Sequence, residues 1–327
     1  MRDSSSSWQK VLAQGFSCAA ELLSFLKLPA EYGSSFAETS FKTRVPRSFA
    51  ERMQKGDPFD PLLRQVLAVS KEEEDIHGYS HDPLQERESN PVKGLIHKYH
   101  GRVLLTLTGS CAVNCRYCFR RHFPYQENNP GRRGWQAAMS YIAANKSIHE
   151  VILSGGDPLL ASDEVIGELL NQLNEIQHLQ ILRLHTRIPV VLPERLDSEL
   201  PRLLQVSPLQ KVMVIHSNHP QELDPSVAKA CQQLKQAGCQ LLNQSVLLAG
   251  VNDKAQTLAD LSQRLFQLGV MPYYLHLLDK VRGAAHFDLP LSQALAIYRE
   301  LQTLVPGYLL PRLAREEPGL KNKTLLI

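Results

Sequence analysis

The sequence predicts an α/β fold, a partial (βα)6 TIM-type barrel with a helical N-terminal extension. Three observations carry this. Short apolar strands alternate with amphipathic helices from Gly94 onward. Polar residues gather where each strand finishes, the end at which parallel α/β folds hold their ligands. Residues 1–95 lack that alternation and show helical patches broken by prolines and polar runs.

In chain order, the extension carries apolar helical stretches at 11–28 and 61–69, separated from the next region by Lys71-Glu72-Glu73-Glu74-Asp75. Its expected role is to cover one end of a main domain spanning 96–327. Short apolar strands are expected at 103–108, 151–154, 181–186, 212–216, 241–248 and 271–277. Ser162 caps a helix with acidic Asp163 and Glu164 in its first turn. Asp224-Pro225 opens another, which Gly238 closes. Leu258, Leu261, Leu265 and Leu268 form one face of a third, stopped by Gly269. Ser292 is expected to cap the last, which Pro306-Gly307 ends. Six units are fewer than the eight of a closed barrel, so the sheet is expected to stay open. A doubly wound sheet is the alternative. No G-x-G-x-x-G opens the first helix, which argues against a dinucleotide fold.

Composition narrows the function classes. A net charge of +3 over 327 residues, with both signs interspersed, gives no footing for nucleic acid or an anionic membrane. No apolar run approaches the ~20 residues that span a bilayer, and Met1 to Trp8 lacks a signal-peptide core. The expected address is the cytoplasm, where cysteines serve metals or catalysis rather than disulfides. Of the six cysteines, Cys18, Cys231 and Cys239 sit in apolar surroundings and read as packing.

The other three are Cys111, Cys115 and Cys118, directly after the first barrel strand. Three thiolates in one loop suit a four-iron, four-sulfur cluster with one iron left open. A zinc site with His122 or a distant cysteine is the alternative, but zinc favours paired C-x-x-C units, and no second pair exists here.

The Cys111 to Cys118 loop resembles the signature of radical S-adenosylmethionine (SAM) enzymes. That resemblance implies that the open iron binds SAM and that Tyr117 packs near the adenine. It implies that Ser154, Gly155, Gly156 and Asp157, one strand later, hold the methionine part of SAM. Read without it, Gly155-Gly156 is a tight turn. Further polar groups end the later strands: His185-Thr186-Arg187, His216, Gln244 and Asp279. Convergence on one rim is more informative than any one of them, and His216 and Gln244 join the cofactor-binding candidates.

From Asp60 onward the chain resembles lysine 2,3-aminomutase. The matching stretches are Asp60-Pro61-Leu62-Leu63-Arg64-Gln65-Val66-Leu67, His97-Lys98-Tyr99, Arg102-Val103-Leu104-Leu105, Cys115-Arg116-Tyr117-Cys118-Phe119-Arg120-Arg121, Leu153-Ser154-Gly155-Gly156-Asp157, Pro189-Val190-Val191-Leu192-Pro193, Asn243-Gln244-Ser245-Val246-Leu247-Leu248 and Gly250-Val251-Asn252. The resemblance implies an isomerase that uses the cluster, SAM and pyridoxal 5′-phosphate (PLP) to move the α-amino group of L-lysine to the β carbon. It implies Lys323 as the PLP lysine, with Lys321 as competitor, and Tyr99 and Arg102 beside PLP. It also implies Arg120 on the substrate carboxylate and Asp279 on the side-chain ammonium. Glu316 stands where the family has a second aspartate.

Two departures stand out: the four-glycine run before the PLP lysine is absent, and the sequence ends soon after Lys323. Lys254 replaces a zinc-binding cysteine, so no structural zinc is expected. The shorter form resembles the bacterial paralogue that makes (R)-β-lysine for elongation factor P, attached by a companion ligase. An electron donor such as flavodoxin or ferredoxin is implied. Rival expectations are a radical SAM enzyme without PLP and a non-catalytic metal- or redox-sensing module.

Overall fold

The computed structural model describes residues 7–85, 90–124 and 131–327. Residues 1–6, at the start of the stretch read for a signal peptide, lie outside these. Among the described residues nine strands form one sheet whose spatial order is the chain order. They are β1 (Leu95–Tyr99), β2 (Arg102–Thr108), β3 (Glu150–Gly155), β4 (Ile181–Thr186), β5 (Gln210–His216), β6 (Cys239–Val246), β7 (Met271–His276), β8 (Arg312–Arg315) and β9 (Thr324–Leu325).

Strands β2 to β8 run parallel, and an antiparallel strand flanks each side, β1 against β2 and β9 against β8. Sequential parallel neighbours require a crossover after every strand, and right-handed crossovers curl such a sheet. The sheet is a partial barrel and does not close.

The six expected strands are β2 to β7, with ends shifted by at most two residues. Strands β1, β8 and β9 lie outside the six expected ones: charged or polar residues interrupt the apolar pattern of β1 and β8, and β9 is only Thr324–Leu325. Helix Asp163–Asn174 starts at Ser162, whose hydroxyl accepts from the Val165 amide. Asp224 caps Pro225–Gln236 in the same way. Gly238 and Gly269 take positive φ just beyond helices, as their stop positions require. Ser292 is not a cap: the last helix is Leu291–Leu304, and Pro290, with its fixed φ, starts it before the serine.

The extension is less helical than expected. Helices Ser7–Ala13 and Ala19–Phe25 are split where Phe16 exchanges backbone hydrogen bonds with Val45, and Pro61–Arg64 is a single turn. Trp8, Leu22, Leu23, Phe49, Leu62 and Leu63 are buried in the same apolar cluster as Leu105, Val151 and Leu182 of the sheet. Extension and barrel therefore share one core. Among the described residues no helix is long and apolar enough to cross a membrane. Cys231 and Cys239 are buried, and Cys18 is half-buried at the start of helix Ala19–Phe25; all are free thiols. Burial pushes the Cys231 thiol up to about 12 and Cys239 to about 11, so both stay protonated and inert.

Candidate active site

Strand register fixes what faces the lumen. Thr106 lies beside Ser154, and Leu153 beside Leu184, which puts His185 next to Ser154. Val214 lies beside His185, His216 beside Gln244, and Gln244 beside Tyr274. His276 lies beside Ala314. Side chains alternate along a strand, so Thr106, Ser154, His185, His216, Gln244, Tyr274, His276 and Glu316 share one face. In the β8–β9 hairpin Arg315 pairs with Thr324, so Lys323 falls opposite Glu316 on that face.

The cysteine loop leaves β2 and is clamped to the N-terminal extension. Asn114 donates to the carbonyls of Lys42 and Arg44. The Arg116 amide donates to the Gln65 carbonyl at 2.9 Å. Both Arg116 and Arg121 donate to the buried Glu72, at 2.5 and 2.7 Å. Arg116 is fully buried. Arg116 and Arg121 are thus structural ties, and Arg120 is also buried. It reaches the Ser154 hydroxyl at 3.2 Å.

The two glycines at the end of β3 are there for close approach. A Cβ on Gly156 would stand 2.4 Å from the Ser110 carbonyl oxygen, and one on Gly155 2.6 Å from Thr106. Gly155 also has φ +108°. The Gly156 and Asp157 amides are spent within the protein, donating to the Thr108 and Ser110 carbonyls at 2.7 and 2.8 Å. The Asp157 carboxylate accepts from Thr186, Arg187, Ile188 and Leu159. It ties the turn after β3 to the loop after β4, and burial pushes it up to about 6 despite these donors.

The thiols of Cys111, Cys115 and Cys118 lie close enough to repel one another as thiolates; burial first, then that repulsion, raises Cys111 and takes Cys118 to about 11. Without a cation Cys111 and Cys118 would stay largely protonated, and the positive irons of a cluster would reverse that. No three His, Cys, Asp or Glu side chains among the described residues surround a single-ion position. A cluster needs wider spacing, because its irons and sulfides lie between the thiolates. The donor set thus fits a cluster with an open iron. Tyr117 packs edge-on to Phe287 and accepts from Asn218 at 2.7 Å.

At the far side Glu316 is a hub. Lys323 Nζ lies 2.5 Å from it, Lys98 Nζ 3.1 Å, and the Tyr99 hydroxyl donates at 2.8 Å. Burial alone would raise this carboxyl, but the two ammonium groups hold it well below the usual carboxylate range. Lys321 is exposed, whereas Lys323 is half-buried. Arg102 stacks on the Tyr99 ring at 4.8 Å. Asp279 lies beyond β7 and, with Glu316 and Arg315, lines a cavity of about 620 Å³.

Between the two sides, His185 and His216 face each other with ring centroids 5.9 Å apart. Their Nε2 atoms have no partner among the described residues. Burial holds His216 and His276 down near 3, and His185 far below its usual value, with Arg183, His216, Lys323 and Arg120 adding to the depression. All three rings are neutral near pH 7. Arg120 at Ser154 and Lys323 at Glu316 thus lie on the one face that His185 shares.

Sequence reasoning passed over Lys98, His276, and the buried set of Gln65, Arg187, Asn218 and Glu222. Arg187 was legible only as one of several strand-end polar residues, and Gln65 lies in an apolar stretch that reads as core.

Residues 105–261 match the Radical SAM superfamily. The chain is 51% identical over 320 residues to an L-lysine 2,3-aminomutase of Haemophilus influenzae, covering 97% of this chain and 95% of that one. It is 52% identical to an L-lysine 2,3-aminomutase of Escherichia coli, covering 98% and 94%. Identity falls to 35% with an L-lysine 2,3-aminomutase of Clostridium subterminale, where the match spans 97% of this chain but 77% of the relative.

Proposed function

The chain belongs to the lysine 2,3-aminomutase family of radical SAM isomerases, and from that premise we propose that it converts L-lysine to (R)-β-lysine with the help of PLP. When bound, the cluster and SAM supply a carbon radical that removes hydrogen, and PLP supplies a conjugated ring that lowers the cost of the unpaired electron.

The protein's share is binding and orientation. Cys111, Cys115 and Cys118 hold the cluster. Ser154, Gly155, Gly156, His216 and Gln244 face or flank the SAM position, with Asp157 bracing the turn beneath. Lys323 anchors PLP, with Tyr99 and Arg102 flanking it. Arg120 takes the substrate carboxylate as a fork, a geometry suited to bidentate pairing. Asp279 takes the side-chain ammonium. Glu316 holds Lys323, and were Lys323 to hold PLP, Oε2 of Glu316 would be available to the substrate ammonium. Neutral His185 and His216 keep positive charge away from the lumen floor and leave Nε2 atoms to donate or accept.

The observation that supports this reading is that Arg120, held at Ser154 beside His185, and Lys323, paired with Glu316, stand on the same lumen face, which gives one lumen a carboxylate clamp and an amine anchor. We further propose that the β-lysine serves elongation factor P, through a separate ligase. The test is anaerobic turnover with iron, sulfide, PLP, SAM, reductant and L-lysine, analysed by chiral chromatography. (R)-β-lysine is expected. Free 5′-deoxyadenosine without β-lysine would retain the radical chemistry and overturn the substrate.

A further inference from the structure

One corner of the cysteine triad differs from the other two. Cys111 and Cys118 each face a backbone N–H, of Asp157 and Arg120 respectively. Cys115 instead meets a charged side chain: Arg187 Nη1 donates to its Sγ at 2.8 Å. Arg187 is buried. Its other nitrogen, Nη2, donates to Gln65 at 2.6 Å and lies 3.2 Å from Glu222. Its guanidinium packs between Tyr117 and Phe49, 5.7 and 5.3 Å from their ring centroids.

Every part of this arrangement aims the guanidinium. The Arg187 amide is tied to Asp157 at 2.7 Å, which fixes the backbone. Gln65 Nε2 and the Asn218 amide donate to Glu222 Oε1, both at 3.0 Å, which fixes the counter-charge. A buried Arg–Glu pair alone needs no sulfur in its contact shell, and placing one there has an electronic consequence. Adding an electron to an iron–sulfur cluster increases the negative charge on its ligand sulfurs. A donor with positive charge at hydrogen-bond distance, in a site where water does not screen it, stabilises the reduced form more than the oxidised one. A buried carboxylate one residue layer behind acts in the opposite sense.

We propose that Arg187 is a positioning residue that sets the reduction potential of the cluster through Cys115, and that Glu222 trims its effect. Arg187 raises the potential and eases arrival of the electron; Glu222, behind it, limits the rise. The inference rests on the cluster and not on lysine or PLP.

The test is a redox titration of the cluster in the full-length reconstituted chain, followed by electron paramagnetic resonance, with no lysine, PLP or SAM present. In Arg187→Gln the potential should fall, so that the reduced-to-oxidised ratio at fixed poise drops about tenfold, about 59 mV for a one-electron couple. In Glu222→Gln, which keeps the Oε1 acceptor, it should rise by a smaller factor. The double variant, which removes both charges together, should lie between the two. Opposite signs are the signature, because a merely structural loss would move both singles alike or neither. Unchanged potentials in both, or shifts of one sign, overturn the proposal. If Arg187→Gln takes up no cluster, Glu222→Gln decides alone: a rise upholds the proposal, and no rise ends it.

Discussion

The two sides of the lumen are built by different means. On the β2–β3–β4 side, the cysteine loop is held by buried charge pairs and by backbones in near-contact: Glu72 takes two arginines, Asp157 takes four donors, and Gly156 leaves no room for a methyl. On the β7–β8–β9 side, a hairpin whose second strand is two residues long carries Lys323 and Glu316 beside an open cavity. A cluster must be gripped in fixed geometry by three atoms of one loop. A lysine that anchors a cofactor and must later give way to substrate needs a mobile partner network. The first side should therefore fail by unfolding or by losing iron, and the second by losing chemistry while the fold stands.

The sharpest separation should come from Glu72→Ala. It leaves Arg116 and Arg121 buried without their carboxylate, a loss of about 3–5 kcal/mol for a broken buried pair. Urea unfolding and iron per chain should both drop. Gly156→Ala comes next: a Cβ 2.4 Å from a carbonyl oxygen forces the two turns apart, at a cost of about 1–3 kcal/mol by analogy with overpacking. Iron content should fall with stability here too. Full stability in either variant would break the comparison.

Acid sharpens it from the middle of the lumen. His216 and His276 sit near 3 when folded because burial disfavours their charged forms, against about 6.5 unfolded. Between those values the unfolded chain binds more protons, so stability is complete above about pH 6.5 and is lost as pH falls toward 3. Each ring contributes a slope of up to about 1.4 kcal/mol per pH unit. Urea midpoints of the metal-free protein at pH 7 and pH 5 check this, and a His216→Gln variant should flatten the curve. The smallest stability effect belongs to Lys323→Met, about 1 kcal/mol or less, since Glu316 keeps Lys98 and Tyr99. That variant should retain iron, show no PLP adduct after borohydride reduction, and make no β-lysine. An adduct on Lys321 instead would reassign the anchor.

The same contrast explains what was legible in the sequence. The cysteine loop is local: its three thiols fall within eight consecutive residues, and an apolar strand leads into it. The parallel strands announce themselves by apolar runs. The other side is assembled from afar. Tyr99 and Glu316 meet across 217 positions, and Lys98 and Glu316 across 218. Arg312-Leu313-Ala314-Arg315 has only two apolar residues between charged ends and does not look like a barrel strand, yet pairing with β7 makes it one. Without β8 and β9, Lys323 reads as a tail lysine, and only the family resemblance picked it out. Arg187 and Glu222 illustrate a different limit. Each has an ordinary helix-end or strand-end context, and their burial beside a cysteine is a tertiary fact with no local signal.

The most direct test of a single shared lumen is isotope transfer between its two sides. With L-lysine deuterated at the β carbon and the fully reconstituted enzyme, deuterium should appear at the 5′ carbon of SAM recovered by mass spectrometry, and it should vanish with Lys323→Met. Formation of 5′-deoxyadenosine from the parent enzyme with no deuterium in it or in SAM would mean that the radical formed over the cysteine loop never reaches lysine held at Lys323, and the account would be wrong.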